Sequence, residues 1–299
     1  MALRVTPGMM NLQMLRNINN NLIRMDKNQN ILSTGMKLNK PSDDPVGITY
    51  SLRYRSDLAL NDQFQKNADA ATSWLNNTDT ALSQVNDIVQ RANELLVQGI
   101  NGTNPQEGLD AINVELKQIY EQLVNVGNSQ IGDKYIFNGQ LTDKPPYDPA
   151  TANNQDTDTA GINYQFTEGG APIQINVTGQ DVFGASTDSD NLFAILKRVQ
   201  ADFSAGKQSA ASGELDLLKS RLIKINEARS EIGAKTNRID LISTRLDDMK
   251  QNLTDMQTKT EDADYAETIM KMKQDESVYQ ASLATSAKIV QTTLLDYLR

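Results

Sequence analysis

The side chains in this sequence that could do chemistry are carboxylates. Asp43 and Asp44 are adjacent, Asp262 and Asp264 are two apart, and eight acids lie between Asp143 and Asp190. Close carboxylates can divide acid and base roles between them, or hold a divalent cation. Their settings argue for simpler work. Asp43-Asp44 sits inside Lys40-Pro41-Ser42-Asp43-Asp44-Pro45, where Asp and Pro serve turns and helix caps. Asp262 and Asp264 read as the charged first turn of a helix, favoured by the helix dipole. The central acids lack the order of oxygen ligands that a calcium loop requires and read as a solvated, repulsive surface. No GxGxxG and no GxxxxGK[ST] phosphate loop occurs. Asn101-Gly102-Thr103 matches the glycosylation pattern only at the frequency expected of Asn-rich sequence. The chain has no histidine and no cysteine. Disulfides, thiolate zinc sites and any triad needing imidazole or thiolate are therefore excluded. The sequence assigns no catalytic residue, no cofactor-binding residue, no metal ligand and no cofactor.

The composition narrows the class further. The 299 residues carry a formal charge of −9, with 38% hydrophobic and 5% aromatic residues. An excess of acid argues against a nucleic-acid partner. No stretch approaches the roughly 20 apolar residues of a membrane span. The first 30 residues have neither the apolar run nor the cleavage site of a signal peptide. The expectation is a protein that is cytoplasmic or exported without a cleaved signal. The charge is concentrated: Asp143–Asp190 has eight acids against Lys144, which is −7 of the −9. Tyr135, Phe137, Tyr147, Tyr164, Phe166, Phe183 and Phe193 gather around the same stretch. Two mild, mixed-charge arms flank a different central insert.

The arms must be helical. Leu15, Ile18, Leu22, Met25, Gln29 and Leu32 repeat at spacings of three and four, one narrow stripe on a helix whose other faces are rich in Asn. Such a helix is marginal alone. Gly35 breaks it. Asp44 and Pro45 then open a helix reaching about Gln98, and Gly99 to Thr103 closes it. Asn104-Pro105-Gln106-Glu107 reads as a capping box for the next helix, which Gly127-Asn128 stops. From Ile131 the period changes. Lys134–Phe137, Ile162–Thr167 and Ile173–Thr178 read as strands. Helix resumes at Asp190, read as a cap. It runs through Phe203; after Ser204–Gly213 a long helix carries the stripe from Leu215 to Met256, interrupted by Arg229, and a last helix holds Tyr265, Ile269, Met272, Glu276, Tyr279, Leu283, Val290, Leu294 and Tyr297.

A helix of about 40 residues is about 60 Å long, against a radius of gyration of about 19 Å for a compact chain of this size. The expected fold is therefore mainly α: an elongated coiled-coil or helical-bundle rod formed by the N- and C-terminal segments, with a small β-rich central insert.

Two separated segments carry a family resemblance. Leu32-Ser33-Thr34-Gly35-Met36-Lys37-Leu38-Asn39-Lys40-Pro41-Ser42-Asp43-Asp44-Pro45-Val46-Gly47, with Leu52-Arg53-Tyr54-Arg55-Ser56, resembles the N-terminal signature of the bacterial flagellin family. Glu261-Asp262-Ala263-Asp264-Tyr265-Ala266-Glu267 resembles the start of that family's C-terminal helix. Pro41 and Pro45, the ending Leu294-Leu295-Asp296-Tyr297-Leu298, the short middle and Tyr135-Ile136-Phe137-Asn138-Gly139-Gln140 look more like the family's hook–filament junction members than like flagellin proper.

The resemblance implies nested domains: residues 1–44 with 258–299 as a terminal coiled-coil assembly domain, 45–136 with 190–257 as a helical rod domain, and 137–189 as a β-rich outer domain. It implies an extracellular structural subunit of the flagellum, exported without a cleaved signal peptide. The implied partners are further copies in a ring, the other junction protein, flagellin and an export chaperone, with no nucleic acid and no membrane. A filament-forming flagellin is the alternative within the class, and a cytosolic helical scaffold or binding module the alternative outside it. An enzyme ranks last.

On this reading Leu15, Ile18, Leu22, Met25 and Leu32 pack against Met272, Tyr279, Leu283, Val290 and Leu294, within and between subunits. Each stripe lacks its neighbours in the lone chain, so the ends should be largely disordered there. Limited proteolysis of the purified chain is expected to trim both ends and leave a fragment near residues 45–257. Uniform protection of the ends would refute that expectation.

Overall fold

The structure is a computed structural model that describes residues 7–102 and 104–297, with side chains described over 8–102 and 104–288. It is mainly α. In chain order, α1 spans Pro7–Thr34, α2 Pro45–Ile100, α3 Gln106–Gly127, α4 Gly179–Phe183, α5 Leu192–Ser204, α6 Ser212–Glu261 and α7 Tyr265–Tyr297. Between α3 and α4 lie two small antiparallel hairpins. One pairs β1 (Gln130–Ile131) with β2 (Lys134–Tyr135), and the other pairs β3 (Asn163–Tyr164) with β4 (Ile173–Gln174). The chain forms two compact units: Met1–Leu60 with Met249–Arg299, and Asn61–Asp248.

In the unit Asn61–Asp248, apolar stripes close onto one another. Leu75, Leu82, Val85, Val89 and Leu96 of α2 share a core with Leu109, Leu116 and Leu123 of α3, Ile195 and Val199 of α5, and Leu218, Ile225, Ile232 and Ile239 of α6. Polar contacts fix α2 against α6 in antiparallel order: Asn61 to the Leu246 carbonyl at 3.1 Å, Gln65 to Ser243 at 2.7 Å, and Arg229 to Asp79 at 3.0 Å. Arg229 thus leaves the apolar stripe to make an ion pair. Arg91 reaches Glu115 on α3 at 2.7 Å, closing the helical hairpin that the short loop predicts.

The insert has little ladder and a strong aromatic core. Phe183 lies 5.5 Å from Phe137, 5.3 Å from Tyr147 and 5.3 Å from Phe193 between ring centroids. Phe193, on α5, also meets Tyr120 of α3 edge-on at 5.7 Å. The cluster continues the helical core, so the insert is anchored by ring packing rather than by strands. This explains why the strands are shorter than the periodicity predicts. Ile136, Phe137 and Phe166 are buried in the core instead of extending a ladder, and Gly139, at φ +54°, turns the chain where β2 would have continued.

Two predicted caps are corrected. α3 starts at Gln106 with no side-chain cap, because the Asn104 amide donates to the Gln98 carbonyl at the end of α2. α5 is capped by Asn191, whose side chain accepts from the Ala194 N–H, and not by Asp190. Asp190 has a different task. It is buried and pairs with Arg221, the largest fully buried side chain, and accepts from Lys224 Nζ at 2.8 Å. Arg221 also donates to the carbonyls of Asp190 at 3.0 Å and Asp181 at 3.3 Å. Burial pushes the Asp190 carboxyl up, but Lys224 and Arg221 outweigh it and hold it below the usual carboxylate range. Burying such a pair is worth little net stability, but losing one partner strands the other charge, so the pair fixes where the end of the insert meets α6.

Trp74, on α2, is the chain's one tryptophan and packs against this core. Its fluorescence should report urea unfolding of this unit. Phe193→Ala is expected to lower that stability by about 3–5 kcal/mol, and Leu22→Ala, on exposed α1 surface, by less than about 0.5 kcal/mol.

Candidate assembly surface

Within the unit Met1–Leu60 with Met249–Arg299, one joint organises the rest. Gly35 ends α1 at φ +73°, a conformation that any Cβ would strain, and a Cβ there would lie 2.8 Å from the Tyr265 hydroxyl. The next residue, Met36, bridges Asp262 in antiparallel fashion. The Lys37 N–H donates to the Glu261 carbonyl at 2.7 Å, and the Ala263 N–H to the Gly35 carbonyl at 3.0 Å. Lys37 Nζ adds a 2.6 Å bond to the Lys259 carbonyl. Two segments more than 200 residues apart in sequence are thereby tied backbone to backbone.

The Glu261 side chain is 2% exposed at the centre of this joint. It accepts from Ser51 Oγ at 2.6 Å and from Arg55 Nε and Nη2 at 2.9 and 2.6 Å. Gln257 approaches both oxygens at 3.3 Å. The forked Arg55 contact holds the carboxyl below its usual range; burial opposes it, and Ser51 and Gln257 assist.

The neighbouring acids do the turn and cap work expected of them. Asp43 Oδ2 accepts from the Lys40 and Asn39 N–H groups at 3.0 and 3.3 Å, and Lys27 sits 3.2 Å from its other oxygen. The Lys40 bond is the strongest influence lowering its pKa. Asp44 accepts from the Val46 N–H at 3.0 Å. Asp264 immediately precedes α7 and accepts from the Glu267 N–H at 3.1 Å, so it caps the helix from the residue before the first turn and does not lie within that turn as predicted. Among the described residues, no group of three or more Asp or Glu side chains is placed to hold a metal ion. None of the described helices is long and apolar enough to cross a membrane.

From the joint, α1 and α7 run antiparallel in contact. The Asn21 amide donates to Ser282 Oγ at 3.2 Å, and the Asn28 amide to Asp275 Oδ2 at 2.9 Å. Arg24 lies 3.5 Å from Asp275. The seam is thin. Among the described residues of α1 only Asn21 is buried, and among those of α7 only Thr268. Both are polar. Ile18, Met25 and Leu32 of the predicted row are half-buried, as are Met272 and Tyr279. Leu15 is 60% exposed, and Leu22 and Leu283 are each 43% exposed. The side chains of Val290 and Leu294 lie outside the described residues.

The sequence row is therefore split within the chain. Its apolar half at 18, 25 and 32 faces α7, whereas 15 and 22 face away, and Asn21 and Asn28 take the inward places between. Sequence reasoning passed over these two because it followed apolar residues. The signal was present in their own spacing, three residues after Ile18 and Met25. Leu12, Ile23, Ile269 and Met270 are likewise exposed, so the helix pair presents apolar rows that nothing in the single chain covers.

A chain whose ends form a half-polar helix pair with uncovered apolar rows, and whose acids are spent on caps, turns and ion pairs, belongs to the class of helical assembly subunits. Comparison with known proteins agrees. The bacterial flagellin N-terminal helical region matches residues 5–142, and the bacterial flagellin C-terminal helical region matches residues 215–298. The chain is 26% identical to the flagellar hook-associated protein 3 of Escherichia coli K12, over 94% of this chain and 95% of that protein. It is 28% identical to a flagellin of Halalkalibacterium halodurans, over 92% of each. The crystal structure of Bacillus cereus FlgL covers 69% of this chain and 99% of its own, with a TM-score of 0.59 at 24% identity. The chain belongs to the bacterial flagellin family. It is a structural subunit of the flagellum, outside the cell, and it self-assembles there.

The joint generates a test. A carboxylate whose pKa is lowered by folding stabilises fully above its unfolded value, near 4.5, and loses that contribution as pH falls through the lower folded value. Arg55 is half-exposed, so Glu261→Gln should cost only about 1–2 kcal/mol. Amide-exchange protection of Lys37 and Ala263 should drop about tenfold in the variant at pH 7. The difference from the parent should shrink as pH falls below about 4.5 and be lost only once pH has passed through the lower folded value. Equal protection at pH 7 would show that the joint does not depend on the carboxylate.

Proposed function

We propose that this chain is the subunit that joins hook to filament in the bacterial flagellum, and that it does so by packing its terminal helices into those of neighbouring copies. The observation that carries this is the seam of α1 and α7. Its buried residues are polar, while Leu15, Leu22, Ile269, Met270 and Leu283 are open. An intramolecular pair of this kind is marginal, and further copies would bury what it leaves exposed. Near-complete coverage of a hook-associated protein 3 supports the junction role.

On this reading residues 1–44 with 258–299 form the inner assembly layer, 45–136 with 190–257 the rod and 137–189 the outer part. The ring of copies contacts the other junction protein on one side and flagellin on the other. Weakly held ends suit passage through the flagellar export channel without a cleaved signal, with a chaperone covering the apolar rows before export. The second reading, a filament-forming flagellin, is favoured by the 28% identity to such a protein over most of both chains.

Imaging a labelled chain on flagella separates the two. A band at the hook–filament boundary is expected, and label along the whole filament would establish the second reading. Leu283→Asp is expected to abolish the band while leaving urea unfolding of the Trp74-containing unit within about 0.5 kcal/mol of the parent. A matching loss of that stability would overturn an assembly role separate from the core.

A further inference from the structure

The seam between α1 and α7 is layered. Its inward rows are Ile18, Asn21, Met25, Asn28 and Leu32 on α1, and Thr268, Met272, Asp275, Tyr279, Ser282 and Ser286 on α7. The bonds from Asn21 to Ser282 and from Asn28 to Asp275 step one heptad along each helix in opposite directions. The same register sets Met25 opposite Tyr279 and Leu32 opposite Met272. Polar layers thus alternate with apolar ones. Arg24 ties two polar layers together, one through Asp275 and the other through the Asn21 side-chain oxygen.

A slip of three or four residues would ruin this order. It would set Asn21 and Asn28 against Tyr279 and Met272, and would press Met25 against Asp275 or Ser282. A half-buried carboxylate would lose its donors, and an amide would face apolar surface. A slip of a whole heptad is different. It would set Asn21 against Asp275 and Asn28 against Thr268, polar against polar, so the layers alone permit it. The joint forbids it, because the Met36–Asp262 bridge and the Glu261 carboxylate fix the ends of both helices. The joint opposes every slip, whereas the layers add a cost to slips of three or four residues and none to a whole heptad.

We propose that Asn21, Asn28, Asp275 and Ser282 are specificity-determining residues for helix pairing: they select for α1 an antiparallel partner with polar residues at every seventh seam position, the α7 helix of this chain, and set its phase. Their function is discrimination and not tightness. By fixing the phase they also fix where Leu15, Leu22 and Leu283 lie on the outer surface. The inference rests on the observed pairing alone, so it holds or fails independently of the junction role.

The chain has no cysteine, so two introduced thiols are the only ones available for spin labels. Asn19→Cys and Ala266→Cys place them at exposed positions on α1 and α7, about 27 Å apart along the helix axis in the observed register, so that an axial slip changes their distance. Purified full-length chain is frozen with trimethylamine N-oxide, which favours burial, and the distance distribution is read by double electron–electron resonance. The parent should give one narrow peak. In the N21L/N28L background helix content should be kept and a second peak should appear, since a slip of three or four residues moves a label by about 5–6 Å. N28D/D275N, which exchanges the partners of one layer in the otherwise parental chain, should keep the single peak. A broad parent distribution, an unchanged single peak in N21L/N28L, loss of helix content in that variant, or a second peak in the exchange variant would each overturn the proposal.

Discussion

A long helix with a narrow apolar stripe cannot hold itself together in water. Nucleation is costly, propensity adds little, and stability comes from what covers the stripe. Every feature of this chain follows from how each stripe is covered. In the unit Asn61–Asp248 the stripes of α2, α3, α5 and α6 close on one another and bury a continuous core. In α1 and α7 the cover is partial, and the buried residues among those described are Asn21 and Thr268. One set of stripes is satisfied within the molecule, and the other is left partly open by it.

The same contrast appears in how charge is used. Within Asn61–Asp248 a guanidinium is buried outright, and Arg221 gathers Asp190 and two carbonyls around it. That arrangement tolerates no substitute geometry, which suits a part that folds once and stays folded. The seam of α1 and α7 uses amides, a hydroxyl and one carboxylate, of which Asn21 is buried and the rest half-buried. The half-buried groups can return to water at small cost, so opening this seam strands no charge in an apolar interior.

Much of this was legible in the sequence because helical periodicity is local. The stripes of α2, α3 and α6, the stop at Gly127, the cap at Asp44 and the break at Gly35 all depend on neighbours within one or two turns. The aromatic cluster was visible as composition, although its fold was not: rings buried in a core read as β periodicity when only spacing is considered. What could not be read depended on residues far apart. Asp190 looks like a cap until Arg221, some thirty residues on, takes it. Asn104 looks like a cap until the end of α2 claims its amide. Glu261 reads only as the first residue of a helix-start motif until Ser51 and Arg55 enclose it. Polar residues choose partners by three-dimensional accident of position, whereas apolar residues only choose a face.

That asymmetry explains why the apolar row predicted from spacing was half right for the single chain. Following Leu15 and Leu22 finds a stripe, but hydrophobicity alone does not say which of two overlapping heptad rows turns inward. Asn21 and Asn28 decide it. They find partners on α7, and they leave the two leucines on the outside. An apolar residue left out of its own molecule's seam by a polar one is a surplus of exactly the kind an assembly needs. Within the chain the polar groups make the pairing and Leu15 and Leu22 stay open.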